Sequence, residues 1–168
     1  VYARIFKAEA ALVRPHFVNG THAIGAAIFG NLRPGDTLLC ASGRPYDTLM
    51  SLIGLKENER IGSLREYGVK YKEVSLNENG KFNYSAIEEA LKDMTIKVVH
   101  LQRSTGYGWR NAFLVEELAE VISFIKSKRN DISIFVDNCY GEFIDTIEPT
   151  EVGADLIAGS LIKNIGGG

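Results

Sequence analysis

Two hydrophobic patterns alternate along the chain from end to end. Short, β-rich apolar runs at Ala11 to Arg14, Thr37 to Ala41, Val69 to Val74, Ile96 to Leu101, Ile132 to Asp137 and Ala154 to Gly159 predict strands. Lys97-Val98-Val99-His100-Leu101 and Ile132-Ser133-Ile134-Phe135-Val136 are nearly continuous in apolar character. That pattern suits strands covered on both faces, as in a parallel sheet between helices. Between the runs the period lengthens. Val115, Leu118, Ile122 and Ile125 recur at three and four residues and form one helical stripe, which Lys126 and Lys128 close with charge suited to a C-terminal end. A second helix is expected to open at Ser85, with Glu88 completing a capping box after the turn signal Asn79-Gly80. A third is predicted from about Thr21 to Leu32, ending at Arg33-Pro34-Gly35-Asp36. The expected fold class is α/β: three layers, with a mostly parallel sheet between helices and no internal repeat or low-complexity linker.

Composition narrows the function classes. A chain of 168 residues corresponds to about one domain. Its 19 Lys and Arg against 21 Asp and Glu leave a net charge of −2, so no basic excess exists to hold nucleic acid or an anionic membrane. Neither partner is expected. No apolar run approaches the roughly 18 residues a bilayer span needs, and no secretory signal is visible. Val1 is not a methionine, so the natural start is expected to have been trimmed. Cys40 and Cys139 lie in or at the end of apolar segments, outside any CxxC, and read as buried thiols of an intracellular, cytoplasmic protein. His16, His22 and His100 share no ligand spacing with them, so no metal site is expected. The stretch from Glu142 to Glu151, broken by apolar residues and Pro149, reads as a solvated loop.

Chemistry concentrates where strands end and helices begin, the corners at which α/β sheets gather ligands. Asn19-Gly20-Thr21-His22-Ala23-Ile24 is one such corner. Free backbone amides and the helix dipole there suit a phosphate, with an ordinary capped helix start as the alternative. It is not a Walker loop, and no GxGxxG follows a strand. Asp137 ends a buried strand, where an unpaired charge is costly. Its partner is a metal, an Arg or the protonated ring nitrogen of a cofactor; the alternative is a carboxylate that caps the next turn. Ser160-Leu161-Ile162-Lys163 leaves another apolar strand just before Gly166-Gly167-Gly168. A lysine desolvated in such a place becomes a usable nucleophile, although most strand-end lysines are merely solvated. Tyr46 opens the helix after a buried strand and either stacks on a planar ligand or packs in the core. The polar, glycine-rich stretch from Gln102 to Arg110 is either a ligand lip or a surface turn.

The order of these elements is more specific than any one of them. Arg14-Pro15, Gly20-Thr21-His22-Ala23-Ile24, Leu32-Arg33-Pro34-Gly35-Asp36, Pro45-Tyr46-Asp47-Thr48-Leu49, Gln102-Arg103-Ser104, Val136-Asp137-Asn138-Cys139-Tyr140-Gly141-Glu142-Phe143 and Gly153 to Asn164 together resemble fold type I enzymes that use pyridoxal 5'-phosphate. The wording is closest to their methionine gamma-lyase-like branch, bacterial proteins often labelled aluminium-resistance proteins. The resemblance implies that Lys163 holds the cofactor as a Schiff base and moves the substrate's alpha proton. It implies further that Asp137 pairs with the pyridinium nitrogen, that Tyr46 stacks on the ring, and that the Gly20 and Thr21 amides with the Ser160 hydroxyl hold the phosphate. Two positions depart from the pattern: Ile162 stands where related enzymes carry a second hydroxyl, and Ile165 where relatives have Pro. The loop from Gln102 to Arg110 also differs from the Asn-Pro loop of transsulfuration enzymes.

The implied function is a carbon–sulfur lyase acting on a small sulfur-containing amino acid, like methionine gamma-lyase or cystathionine beta-lyase. The alternatives are an aminotransferase or aldolase-type reaction on the same cofactor, or a non-catalytic α/β module. Residues 1–168 are expected to form the cofactor-binding large domain of a longer protein, without the C-terminal small domain and an N-terminal segment. The full-length protein is expected to be a homodimer or homotetramer, and this fragment alone inactive. A direct role in metal resistance finds no clustered oxygen ligands to support it.

Overall fold

The computed structural model of the chain describes residues 1–56 and 61–166. Within them, five strands form one sheet in the order β2-β1-β3-β4-β5. They are β1 (Thr37–Cys40), β2 (Lys70–Glu73), β3 (Ile96–Gln102), β4 (Ser133–Asp137) and β5 (Leu156–Ala158). Every pairing is parallel, so the α/β expectation stands in a stricter form than "mostly parallel". The register sets Cys40 opposite His100, His100 opposite Phe135, Gln102 opposite Asp137, and Asp137 opposite Ala158. The C-terminal ends of four strands therefore open along one edge.

Helices α2 (Gly20–Asn31) and α3 (Asp47–Ile53) cover one sheet face, while α4 (Tyr84–Ala90) and α5 (Val115–Lys128) cover the other. A single-turn α1 (Tyr2–Ile5) precedes them and buries no residue. The predicted stripe of α5 is the buried stripe: Val115, Leu118, Ile122 and Ile125 are all buried, joined by Val121. Its first turn is held by Glu117, whose carboxylate accepts the Leu114 N–H at 3.0 Å. In α2, Asn19 is the cap, its Oδ1 accepting the His22 N–H at 2.9 Å.

Two local expectations give way. Ala11 to Arg14 forms no strand; Leu12 is 75% exposed, and the segment finds no strand to pair with. Pro15 follows it directly, which constrains Arg14 and removes a donor. Nor does Ser85 cap α4. Asn83 does, accepting the Ala86 N–H at 3.2 Å and the Ser85 hydroxyl at 3.0 Å, while Glu88 pairs instead with Lys128 at 2.7 Å. The buried Phe82, stacked on Phe113 with centroids 4.3 Å apart, accompanies a cap two residues earlier than Ser85. Among the described residues, no helix is long and apolar enough to cross a membrane.

Candidate functional site

The strand order reverses its direction of growth between β1 and β3, the point where open α/β sheets present a crevice to ligands. Residues just beyond the strands bridge that crevice. The Ser42 hydroxyl accepts the Gln102 N–H at 2.8 Å, and Gln102 Oε1 accepts the Tyr46 N–H at 3.1 Å. The second contact holds Tyr46 at the start of α3, where its hydroxyl meets the Thr21 hydroxyl at 3.2 Å. Thr21 lies in the first turn of α2 beside Gly20, and a Cβ on Gly20 would stand 3.4 Å from Cys139 Sγ and 3.9 Å from Ser160 Cβ. The missing side chain thus brings the amide end of α2 against the turns that follow β4 and β5.

Asp137 is 2% exposed at the end of β4. Burial pushes its carboxyl up, against the Cys139 N–H that Oδ1 accepts at 3.1 Å and the positive charge of Lys163. No salt bridge reaches it among the described residues. Arg110 is drawn to it through space but spends its hydrogen bonds on backbone, donating to the carbonyls of Ser42 at 2.7 Å, Gln102 at 3.0 Å and Ser104. Its partial burial pulls its own pKa down. Burial likewise raises the Tyr46 phenol. One layer below, His100 is fully buried, its Nδ1 3.6 Å from Cys40 Sγ and its Nε2 without a partner. Burial and the Arg110 charge lower its pKa to about 3, so the ring is neutral.

Lys163 lies in the turn after β5 and is half-buried rather than enclosed, with Nζ 4.0 Å from the centroid of the Tyr140 ring. Gly20, Thr21, Tyr46, Asp137, Ser160 and Lys163, separated by up to 143 positions, thus gather at the C-terminal edge of the sheet.

The stretch from Glu142 to Glu151 corrects its sequence reading as a solvated loop only in part: Phe143, Ile144, Thr146, Ile147 and Glu151 are exposed, but Glu142 is 1% and Glu148 5% exposed. Glu148 accepts from Asn138 Nδ2 and from the Phe143 N–H, both at 2.9 Å. The buried Arg103 donates to Asn138 Oδ1 at 2.8 Å, Gly141 O at 2.6 Å, Phe113 O at 3.1 Å and Asp145. Asp145 in turn accepts the Val115 N–H at 3.0 Å, tying the loop to α5. This network supports the segment just after Asp137. Sequence reasoning missed Glu142, Glu148 and Ser42 as supports of the site. The only hint was the unusual density of carboxylates beside an apolar strand end. The stretch from Gln102 to Arg110 divides: Gln102 and Arg103 are buried, and residues 105–109 are exposed.

This fold is shared with solved enzyme structures. It matches apo CalE6, a methionine gamma lyase from Micromonospora echinospora, with a TM-score of 0.71 at 22% identity over 98% of this chain and 38% of that one. The particular family follows from closer likenesses. The chain belongs to the methionine gamma-lyase family, whose model matches residues 1–168. A carbon-sulfur lyase involved in aluminum resistance from Clostridium novyi NT is 62% identical over 99% of this chain and 40% of its own, with a TM-score of 0.94. A Clostridium acetobutylicum protein, provisionally named a cystathionine beta-lyase involved in aluminum resistance, is 60% identical over 99% of this chain and 40% of its own, with a TM-score of 0.95. The uncharacterized protein YnbB of Bacillus subtilis is 51% identical over all 168 residues, 40% of its length. The chain therefore spans about 40% of the relatives it matches.

Proposed function

We propose that this chain forms the cofactor-binding part of a carbon–sulfur lyase that uses pyridoxal 5'-phosphate and acts on a sulfur-containing amino acid. The observation that carries the reading is Asp137: a buried carboxylate at a strand end, without a salt bridge among the described residues and within electrostatic reach of Lys163. A protonated pyridine nitrogen supplies the cation that such a carboxylate needs. The other residues fit the same group. The Gly20 and Thr21 amides open α2, a site suited to a phosphate, and the Ser160 hydroxyl adds a donor from the facing turn. Tyr46, fixed through its backbone by Gln102 and through its hydroxyl by Thr21, would cover the ring face. Names carried by the relatives support the reaction class.

Bound there, pyridoxal 5'-phosphate supplies an electron sink for negative charge developing at the substrate's alpha carbon. The chain's own residues do the rest. Lys163 Nζ would hold the cofactor and serve as the base for the substrate's alpha proton. Asp137 would be held ionised by the ring cation and would keep the ring nitrogen protonated. The amide end of α2 would anchor the phosphate and so orient the reacting atoms toward Lys163. Elimination would release the thiol, and hydrolysis of what remains would give the oxo acid and ammonia. Within the longer protein, we place this segment in a cytoplasmic homodimer or homotetramer.

The test is borohydride reduction of the full-length protein mixed with pyridoxal 5'-phosphate, followed by mass mapping. Label on Lys163, lost completely in Lys163→Ala, is the expected result; label on another lysine, or a Lys163→Ala protein that keeps the yellow absorption, overturns it. Release of thiol and an oxo acid from methionine, cystathionine or cysteine tests the reaction class, and silence on all three with cofactor bound removes the lyase reading.

A further inference from the structure

The turn after β4 and the turn after β5 are stitched together beside Asp137. The Ser160 N–H donates to Glu142 Oε1 at 2.6 Å, while Asn164 Nδ2 donates to the carbonyls of Tyr140 at 2.8 Å and Glu142 at 3.1 Å. Neither turn is free to drift. On the β4 side, Gly141 O is held by the buried Arg103 guanidinium at 2.6 Å. Tyr140 and Phe143, at φ +67° and +60°, occupy the left-handed region that a side-chain-bearing residue adopts only under constraint. Such backbone persists where the surroundings over-determine it. On the β5 side, the Lys163 N–H closes the turn on Ser160 O at 3.2 Å. Gly159 is required by the closeness of the approach, since a Cβ there would stand 2.7 Å from Glu142 Oε1.

Glu142 itself is only 1% exposed, and its Oε2 has no hydrogen-bond partner. A buried carboxylate with one bare oxygen is a cost that a role in stability alone does not explain. It lies beneath the turn that presents Lys163, three residues from the amide it grips. From this juxtaposition we propose that Glu142 is the positioning residue for Lys163: its carboxylate locks the Ser160–Asn164 turn onto the Tyr140–Glu142 turn and thereby sets where the lysine amine stands. The inference rests on the reading of Lys163 as the cofactor lysine. A charge-assisted hydrogen bond from a backbone amide is the strongest hydrogen bond between the two turns; Asn164 supplies two more, and Lys163 Nζ over the Tyr140 ring adds a further contact.

The experiment measures the affinity of the full-length protein for pyridoxal 5'-phosphate, the amplitude of its visible absorption band, and the borohydride label on Lys163. Glu142→Ala is expected to weaken affinity about 10-fold or more, as loss of a hydrogen bond to a charged group does. The label should then spread to other lysines. Glu142→Gln keeps an oxygen for the Ser160 N–H without the charge and is expected to recover most of the affinity, to within about threefold of wild type, the remaining loss reflecting a neutral acceptor in place of a charged one. Asn164→Ala, at an exposed residue that leaves the core intact, is expected to give about a threefold loss and decides the matter if Glu142→Ala fails to fold. Wild-type affinity and label in Glu142→Ala or in Asn164→Ala overturns the proposal, as does a Glu142→Gln protein as weak as Glu142→Ala. Wild-type protein labelled elsewhere than Lys163 overturns the reading beneath it, a result distinct from the others.

Discussion

The two faces of the sheet are built from the same strands, yet they differ in kind. Toward α4 and α5, β3 and β4 present Val99, Leu101, Ile134 and Val136, which pack on Leu118, Val121, Ile122 and Ile125 without a polar side chain among them. Toward α2 and α3, the alternate residues of β1, β3 and β4 are Leu38, Cys40, Val98, His100, Gln102, Phe135 and Asp137. Polarity rises along that face toward the C-terminal edge, from Val98 through His100 to Gln102. The first face is a sealed apolar layer. The second carries a histidine with a bare nitrogen and a carboxylate raised by its burial, so incomplete satisfaction marks the side on which ligand chemistry can occur.

The largest effect expected from testing this contrast comes from the sealed face. Leu118→Ala should lower unfolding free energy by about 2–5 kcal/mol through lost burial and a cavity, while the folded remainder keeps its affinity for pyridoxal 5'-phosphate. Denaturant titration and cofactor titration together check this; parallel losses would show that the faces are not separable.

His100 sharpens the comparison in acid. Its pKa falls from 6.5 to about 3 on folding, so the unfolded chain binds the extra proton first and stability drops as pH falls from 6.5 toward 3. The expected slope is up to about 1.4 kcal/mol per pH unit. In His100→Phe that part of the slope should vanish in urea titrations between pH 6 and 4; an unchanged slope would assign the acid sensitivity elsewhere.

Asp137 gives the smallest stability effect, of opposite sign to its effect on binding. Because burial raises its pKa, the cost of its charge is absent below the ordinary value of 3.8 and develops as pH rises through the raised one. Asp137→Asn should therefore stabilise the cofactor-free protein at pH 7 by on the order of 1 kcal/mol, with the gain disappearing below pH 3.8, while weakening cofactor binding. Thermal melts across pH, with and without cofactor, measure both; a variant destabilised at pH 7 would contradict the account.

Much of this was legible locally. The stripe from Val115 to Ile125, the turn at Asn79-Gly80, the strand runs and the strand-end position of Asp137 all follow from side-chain period and turn chemistry. Local cues failed where two of them competed. Ser85 with Glu88 reads as a capping box, but Asn83 caps equally well and is the cap in the structure, next to the buried Phe82. Ala11 to Arg14 has strand composition but no neighbour to pair with. Glu142 and Glu148 read as solvent-facing because carboxylates usually are; their partners Ser160, Asn138 and Phe143 become visible only when the turns meet.

By itself the sequence determined which residues alternate between the faces of each strand and where apolar runs end in polar side chains. Those properties belong to the chain's own periodicity and to the drive to bury apolar surface. Only the tertiary structure decided that Cys40 lies against His100, that Tyr46 is held by Gln102 and Thr21, and that Glu142 grips the amide of Ser160. Those contacts join residues 18 to 60 positions apart. They exist because the registers of five parallel strands bring their ends to one edge, and no segment of the chain carries that register alone.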